Sequence, residues 1–372
     1  MRVMVCIPCL MTGGTEIQTL NLVRALVAAG HEVTVVCYFE YSPAMVANYE
    51  RAGCSVMLLS PCGGRPAGVA GTILFLFKGL RKAIKVCKPD VAHVQYMAPG
   101  VIPIIMLRLL GVKRIVATVH TAADIYPSLR LLHLVARHVL TAFQCITLRA
   151  EESFFGSGSL YSPDMKLSRK GNHFTIYNNL PPYVEIASGA RLFDGAVTIG
   201  VVSRLEPIKG MDLVVPAFAK AHAMDAGTRL LVVGDGSQRR LMEQQASDTG
   251  VTGAVYFAGQ QEQDELQQYY DQIDILLMPS RSEGFGLTAI EGMARGCVVV
   301  AAATGGLPEV VHDGEVGLLH EPESAEDIAG KLGLLVSDRG LMRRLSGNAI
   351  GYVDRYSFGR YAHLIQDLYD KL

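Results

Sequence analysis

Short β-branched runs alternate with helix-periodic segments along almost the whole chain, and that alternation constrains the fold more than any other feature. The first repeat reads as a strand at 3–7, a loop at 8–15 and a helix at 16–29. Ile17, Leu20, Val23 and Val27 recur there at helical spacing and Gly30 supplies the stop. Further strands are expected at 31–38, 55–59, 91–94, 114–120, 144–148 and 174–178. Residues 156–171 are polar and turn-rich and read as a surface loop, and Asn178-Asn179-Leu180-Pro181-Pro182 then breaks all periodicity. A second series follows, with strands at 197–203, 229–233, 254–257, 275–278, 298–301 and 317–319, and two long helices, 325–345 and 357–372, close the chain. Strands and helices in strict alternation specify an α/β fold with parallel sheets covered on both faces.

A length of 372 residues exceeds one small core, so two doubly wound domains are expected: 1–180 and 181–354, joined near 179–194, with the helix at about 355–372 packing back on the first. Hydrophobic residues make up 50% and charged residues 19%, which is enough for large cores and excludes a disordered chain. Charge is uneven. Residues 1–180 hold 18 Lys+Arg against 9 Asp+Glu, and residues 181–372 hold 16 against 26. A basic first half points to an anionic partner; an unevenly charged solvated surface is the alternative. Two segments of that half, 75–88 and 129–140, mix an apolar stripe with cations and read either as peripheral membrane helices or as ordinary helices packed on the sheet. The apolar stretch 98–110 is interrupted by Pro99, Pro103 and Arg108 and is too short to span a bilayer. The first strand is expected to begin at Arg2, a reading without a secretory leader, and the eight cysteines are scattered, several inside apolar runs. Cys6 and Cys9 form a C-x-x-C without a second pair, so no metal site is expected, and the pattern suits a reducing cytoplasm.

The segment with most chemical content runs from Pro279 to Glu291, following an apolar strand and entering a helix. Free amides of Gly284, Phe285, Gly286, Leu287 and Thr288 at such a turn favour an anion, and glycine lets a ligand approach the backbone. Glu283 and Glu291 flank that position. A carboxylate beside a phosphate is suited to sugar hydroxyls, which donate hydrogen bonds; the alternative is that both acids merely satisfy the helix N-terminus. A second loop, from Ser203 to Gly210, carries Arg204 and Lys209, a bidentate donor and a point charge suited to a diphosphate. A surface ion pair with Glu206 is the alternative for each. Gly13 and Gly14 form a phosphate-ready turn after the first strand but lack the G-x-G-x-x-G of a dinucleotide site, which argues against a nicotinamide enzyme. His120 ends a strand, where ligands of open α/β sheets gather.

Glu-x₇-Glu around Gly284-Phe285-Gly286 resembles the signature of retaining nucleotide-sugar glycosyltransferases of family 4, which have the GT-B fold of two Rossmann-like domains facing a deep cleft. The resemblance implies that Glu283 contacts the donor sugar, Glu291 the ribose hydroxyls, Arg204 and Lys209 the pyrophosphate, Gly14 the donor through its backbone, and His120 the sugar near the reaction centre. Ser203 stands where the family usually has Gly. Gly234 and Asp235 resemble the family's V-G-x-G turn near the nucleotide. Residues 257–259 resemble its F-x-G near the base, and Gly305, Gly306 and Glu309 its G-G-x-x-E. The implied activity is metal-independent transfer of a sugar from a UDP- or GDP-sugar to an acceptor hydroxyl with retention, in polysaccharide, lipopolysaccharide or glycolipid synthesis. The acceptor is expected to be a carbohydrate or lipid-linked, with peripheral membrane contact through the basic half and no nucleic acid partner. A nucleotide-sugar epimerase on the same architecture and a non-catalytic sugar-nucleotide binding protein are the other classes open to this sequence.

Overall fold

The computed structural model describes residues 1–11, 13–96, 101–122, 128–168 and 171–372. Thr12 of the first glycine-rich loop, the start of the 98–110 stretch, and Arg169 and Lys170 of the expected 156–171 loop lie outside them. The described chain divides into two compact units, Met1–Asn179 with Phe358–Leu372, and Leu180–Ser357.

The first unit is a parallel sheet of β1 (Arg2–Ile7), β2 (Glu32–Cys37), β3 (Ser55–Leu58), β4 (Val91–Gln95), β5 (Ile115–Val119), β6 (Ala142–Cys145) and β7 (His173–Thr175) in the order β3-β2-β1-β4-β5-β6-β7. Successive residues of β1 serve opposite faces, as strand geometry requires. Met4 and Cys6 pack under the helices Gly68–Cys87, Val101–Leu109 and Leu129–His138. Val3, Val5 and Ile7 pack under Gly14–Ala28, Pro43–Arg51 and the C-terminal helix Phe358–Asp370. Buried Ile365 and Leu368 hold that last helix to the first unit at ~1.5–3 kcal/mol each. Polar anchors add to them: Tyr369 Oη lies 2.8 Å from His93 Nδ1, and Tyr161 Oη donates to Asp367 at 2.6 Å.

The second unit holds β8 (Thr198–Val202), β9 (Arg229–Val233), β10 (Val255–Gly259), β11 (Ile275–Met278), β12 (Val298–Ala302) and β13 (Gly317–His320), all parallel, in the order β10-β9-β8-β11-β12-β13. Both sheets reverse direction of growth beside their first strand, the switch point at which open α/β sheets bind ligands.

Four expectations change. The strand expected at 144–148 is Ala142–Cys145, and Leu148 already begins the helix Leu148–Phe155. The helix expected over 325–345 is two, Ala325–Ser337 and Arg339–Val353. Asp338 between them has extended backbone (φ −122°, ψ 90°), and its carboxylate accepts from Leu341 N at 2.8 Å, capping the second helix. Strand β7 ends at Thr175, not 178: Ile176 N still donates to Cys145 O at 3.0 Å, but Leu180 N already donates to Tyr356 O of the second unit at 2.7 Å. Most of the expected linker is not loose chain. Arg191 donates to Arg295 O at 2.9 Å and pairs with Asp274 at 3.7 Å, so that segment is part of the second unit.

Candidate functional site

In the second unit the loops after β8, β9, β11 and β12 meet at the carboxyl end of the sheet. Val202 ends β8, and Ser203 N donates to Val233 O at 3.0 Å, so the loop begins in register with β9. Leu205 N then donates to Asp235 O at 2.9 Å. Gly234 fits under this crossing because it has no side chain. Its φ is +128°, and a Cβ there would lie 1.9 Å from Ser203 O. Asp235 accepts from Gly236 N at 2.7 Å and from Arg239 at 3.0 Å, and these two donors, the amide first, hold its carboxyl below the usual range.

Pro207–Lys209 forms a 3-10 turn ending at Gly210, and Lys209 Nζ lies 2.6 Å from Glu283 Oε2. Both side chains are about four-fifths shielded, with 20% and 17% exposed. The alternative reading, an ion pair with Glu206, does not hold at Lys209; Glu206 instead accepts from the Ser237 hydroxyl at 2.6 Å. Arg204 is exposed and has no side-chain hydrogen bond or ion pair among the described residues.

Arg281 ties the β8 and β11 loops together. Its guanidinium takes both oxygens of Asp212 at 2.8 Å and both of Glu323 at 2.6 and 2.8 Å, while Arg281 N donates to Ile208 O at 2.9 Å. A planar fork between two carboxylates fixes geometry as well as charge, and it holds the Asp212 carboxyl below its usual range. The β12 loop closes the same corner: Gly306 N donates to Glu283 O at 3.0 Å, and a Cβ on Gly305 (φ +56°) would lie 1.9 Å from that oxygen. Gly305→Ala is therefore expected to displace the Glu283 loop and cost ~2–3 kcal/mol of stability, combining backbone strain with a steric clash. Thermal unfolding within a degree of the parent would contradict it.

Gly286, at φ +101°, caps the helix Leu287–Ala294, whose first-turn amides at Leu287 and Thr288 have no intrahelical acceptor. Gly284 precedes them in the turn. Phe285 contributes no side chain to a ligand surface: its ring is buried edge-on against Tyr356, centroids 5.6 Å apart, so only its backbone faces the turn's chemistry. Glu291 lies inside the unit, accepting from Tyr270 Oη at 2.6 Å. Burial pushes its carboxyl up to about 7, against the opposing pull of that hydrogen bond.

The remaining candidates lie in the first unit. Gly13 caps Gly14–Ala28, and the second residue of that helix, Thr15, accepts from Tyr96 Oη at 2.7 Å. The Tyr96 ring sits 5.2 Å from that of His120, directly after β5. His120 Nε2 lies 2.8 Å from Gln95 Oε1, and burial pushes the imidazole down to about 3, so it is neutral and Nε2 carries the proton. Gln95 Nε2 is buried with no partner among the described residues. His93 is also neutral, pushed to about 3 by burial, and bridges Thr118 at 2.6 Å to Tyr369.

Thus Lys209 and Glu283 touch, the loops bearing Arg204, Gly234 and Asp235 are laced to them, Glu291 turns into the core behind, and Gly13, Gly14 and His120 form a separate group with Tyr96. Sequence reasoning missed Arg281, Tyr270, Gln95 and Tyr96. Gln95 ends strand β4 and Tyr96 follows it, and that position was a usable signal. Nothing local marks the partners of Arg281 and Glu291. All eight cysteines are free thiols. Among the described residues, no helix is long and apolar enough to cross a membrane.

Comparison with known proteins gives two family matches: Glycosyltransferase Family 4 over residues 12–150 and Glycosyl transferases group 1 over residues 185–351. Among curated relatives, the D-inositol 3-phosphate glycosyltransferase of Acidothermus cellulolyticus is 38% identical over 185 residues, 47% of this chain and 41% of that protein. The Nocardia farcinica protein of the same name is 35% identical over 185 residues, 48% of this chain and 41% of that one. The chain thus aligns with about two-fifths of the length of these relatives. Among solved structures, Anabaena Alr3699/HepE in complex with UDP superposes with a TM-score of 0.80 at 18% identity, covering 100% of both chains. Sucrose-phosphate synthase of Thermosynechococcus elongatus gives 0.79 at 22%, covering 100% of this chain and 98% of that one.

Proposed function

The chain belongs to glycosyltransferase family 4, with the GT-B fold, and from that premise we propose that it transfers a sugar from a nucleotide-sugar, of UDP or GDP type, to an acceptor hydroxyl with retained anomeric configuration. The observation that carries this reading is the 2.6 Å pair of Lys209 and Glu283 at the switch point of the second sheet. A cation suited to phosphate thus stands beside a carboxylate suited to sugar hydroxyls, in the turn that leads into the helix Leu287–Ala294, and this supports the reading. Cleaving the sugar–phosphate bond builds positive charge on the sugar and negative charge on the leaving diphosphate. Lys209, Arg204 and the first-turn amides of Leu287–Ala294 stabilise the diphosphate, and electrostatic stabilisation of this kind is usually the largest contribution to rate. These groups let the reaction proceed without a resident metal. Glu283, held by Lys209, receives sugar hydroxyls, Glu291 the ribose hydroxyls, and the neutral His120, whose Nε2 proton goes to Gln95, accepts a hydrogen bond from the sugar at Nδ1. The glycines 13 and 14 let backbone amides approach the donor.

The acceptor in this reading is a carbohydrate or a lipid-linked sugar, met at the inner face of the membrane by the basic first unit. Calorimetric titration with UDP-, GDP- and ADP-sugars tests the donor half of the proposal. The panel begins with UDP-glucose, since Anabaena Alr3699/HepE was solved with it. Saturable binding of one class, followed by product appearance only when acceptor is added, is the expected result. Failure to bind any sugar nucleotide overturns the proposal, and isomerisation of the donor without acceptor replaces it with epimerase chemistry.

A further inference from the structure

We propose that the outer surface of the helices Gly68–Cys87, Val101–Leu109 and Leu129–His138 is a docking face for an anionic lipid bilayer. This names the surface for the membrane contact above and rests on that reading, but it needs no sugar transfer to be true.

The three helices pack as neighbours on one side of the first sheet, the first against the second and the second against the third. Their inward residues, such as Leu80, Ile104 and Leu132, share one core. Their outward sides therefore share one surface. On the first helix that surface carries Lys78, Arg81, Lys82 and Lys85, all exposed. Arg108 adds to it on the second, and Arg130 and Arg137 on the third. None of these cations has an acidic partner among the described residues. Residues 51–150 contain thirteen Lys and Arg but only two acids, Asp90 and Asp124. Asp90 is already paired with Arg2 at 3.1 Å, and Asp124 lies outside the described residues.

Charge alone suits any polyanion. The apolar side chains between the cations select a bilayer. Of nineteen large hydrophobic residues exposed among the described residues, nine stand on these three helices, including Val69 at 74%, Leu109 at 77% and Leu134 at 58% exposed. Leu74, Lys78, Lys82 and Lys85 follow one another at helical spacing, so an apolar end and a basic end share one stripe. A nucleic acid offers no apolar partner for Leu74, Leu109 and Leu134. A headgroup layer offers both, since the cations meet anionic lipid and the apolar chains enter the acyl boundary.

The test is co-sedimentation of the full chain with vesicles of phosphatidylcholine alone and with about 30 mol% phosphatidylglycerol, at low and at about 0.5 M salt. Retention by the anionic vesicles only, weakened by salt, is expected. The triple variant Lys78→Gln/Lys82→Gln/Lys85→Gln should reduce partitioning by about a hundredfold, at roughly fivefold per cation. Leu74→Ser/Leu134→Ser, outside the charge set, should also reduce it at unchanged charge, and both variants should keep the parent's melting temperature and donor affinity. No retention by anionic vesicles at low salt overturns the proposal. So does an undiminished Leu74→Ser/Leu134→Ser variant that binds duplex DNA as well as it binds vesicles. Donor affinity is read in the same preparations, so loss of nucleotide-sugar binding with vesicle retention intact counts against the transferase reading and not against this face.

Discussion

Lys209→Ala is expected to lower kcat at least about tenfold, the rate equivalent of one charge-assisted contact worth ~1.5–3 kcal/mol. Two effects act in the same direction. The diphosphate loses a cation as negative charge develops on it, and Glu283 loses the ammonium 2.6 Å from its carboxylate. An unpaired Glu283 then stands as an anion beside an anionic leaving group. The loss is not one of folding: the pair is partly solvated and spans two loops already joined by the Arg281 bridges to Asp212 and Glu323. Lys209→Ala should melt within a few degrees of the parent. Lys209→Met, which keeps the packing stem without the charge, should be equally slow. Steady-state rates with a working donor and acceptor decide it, and turnover near the parent's would remove Lys209 from the mechanism.

The alternation of strand and helix, and with it both Rossmann-like sheets, was legible because it is written in local periodicity. So were the loops that carry Lys209 and Glu283, since each follows an apolar strand and holds glycine at a turn. Element ends were less legible where two signals overlapped. The apolar pattern from residue 325 to 345 runs on through Asp338; its glycines, Gly330, Gly333 and Gly340, all lie inside the two helices and do not mark the break, which comes with the capping bond of Asp338 to Leu341. Phe285 was read for its backbone amide alone, and where its side chain goes was not legible: the apolar ring packs on Tyr356, 71 residues later in the sequence. Arg281 sits inside the quoted segment, yet its role depends on Asp212 and Glu323, 69 and 42 residues away. Long-range polar pairs leave no periodic trace, so side-chain environments, unlike strand order, had to come from the folded chain.

Glu291 gives the second large effect, and it is a pH effect. Its carboxyl titrates near 7 in the folded protein against a reference of 4.5, because burial disfavours the charged form more than Tyr270 favours it. Between those two values the folded chain binds a proton that the unfolded chain has released. Stability from this group is therefore highest below about pH 4.5, falls as pH rises through that window and is level above about 7. The full difference is on the order of 3 kcal/mol, at 1.36 kcal/mol per pKa unit. Glu291→Gln, which still accepts from Tyr270, should be more stable than the parent at pH 8 by up to that amount and nearly equal to it at pH 4.5. A nucleotide-sugar should act on the same equilibrium in the other direction. Ribose hydroxyls donate to a carboxylate, so donor binding favours the ionised form and should expel a proton. The donor diphosphate does not titrate in this range, which leaves Glu291 as the source. Donor affinity should rise about tenfold from pH 5.5 to pH 8 in the parent, as the fraction ionised before binding grows. In Glu291→Gln it should be weaker at pH 8 and nearly flat. Calorimetry in buffers of different ionisation enthalpy counts the released proton directly. A parent and a variant with parallel pH profiles would mean that Glu291 takes no part in holding the donor.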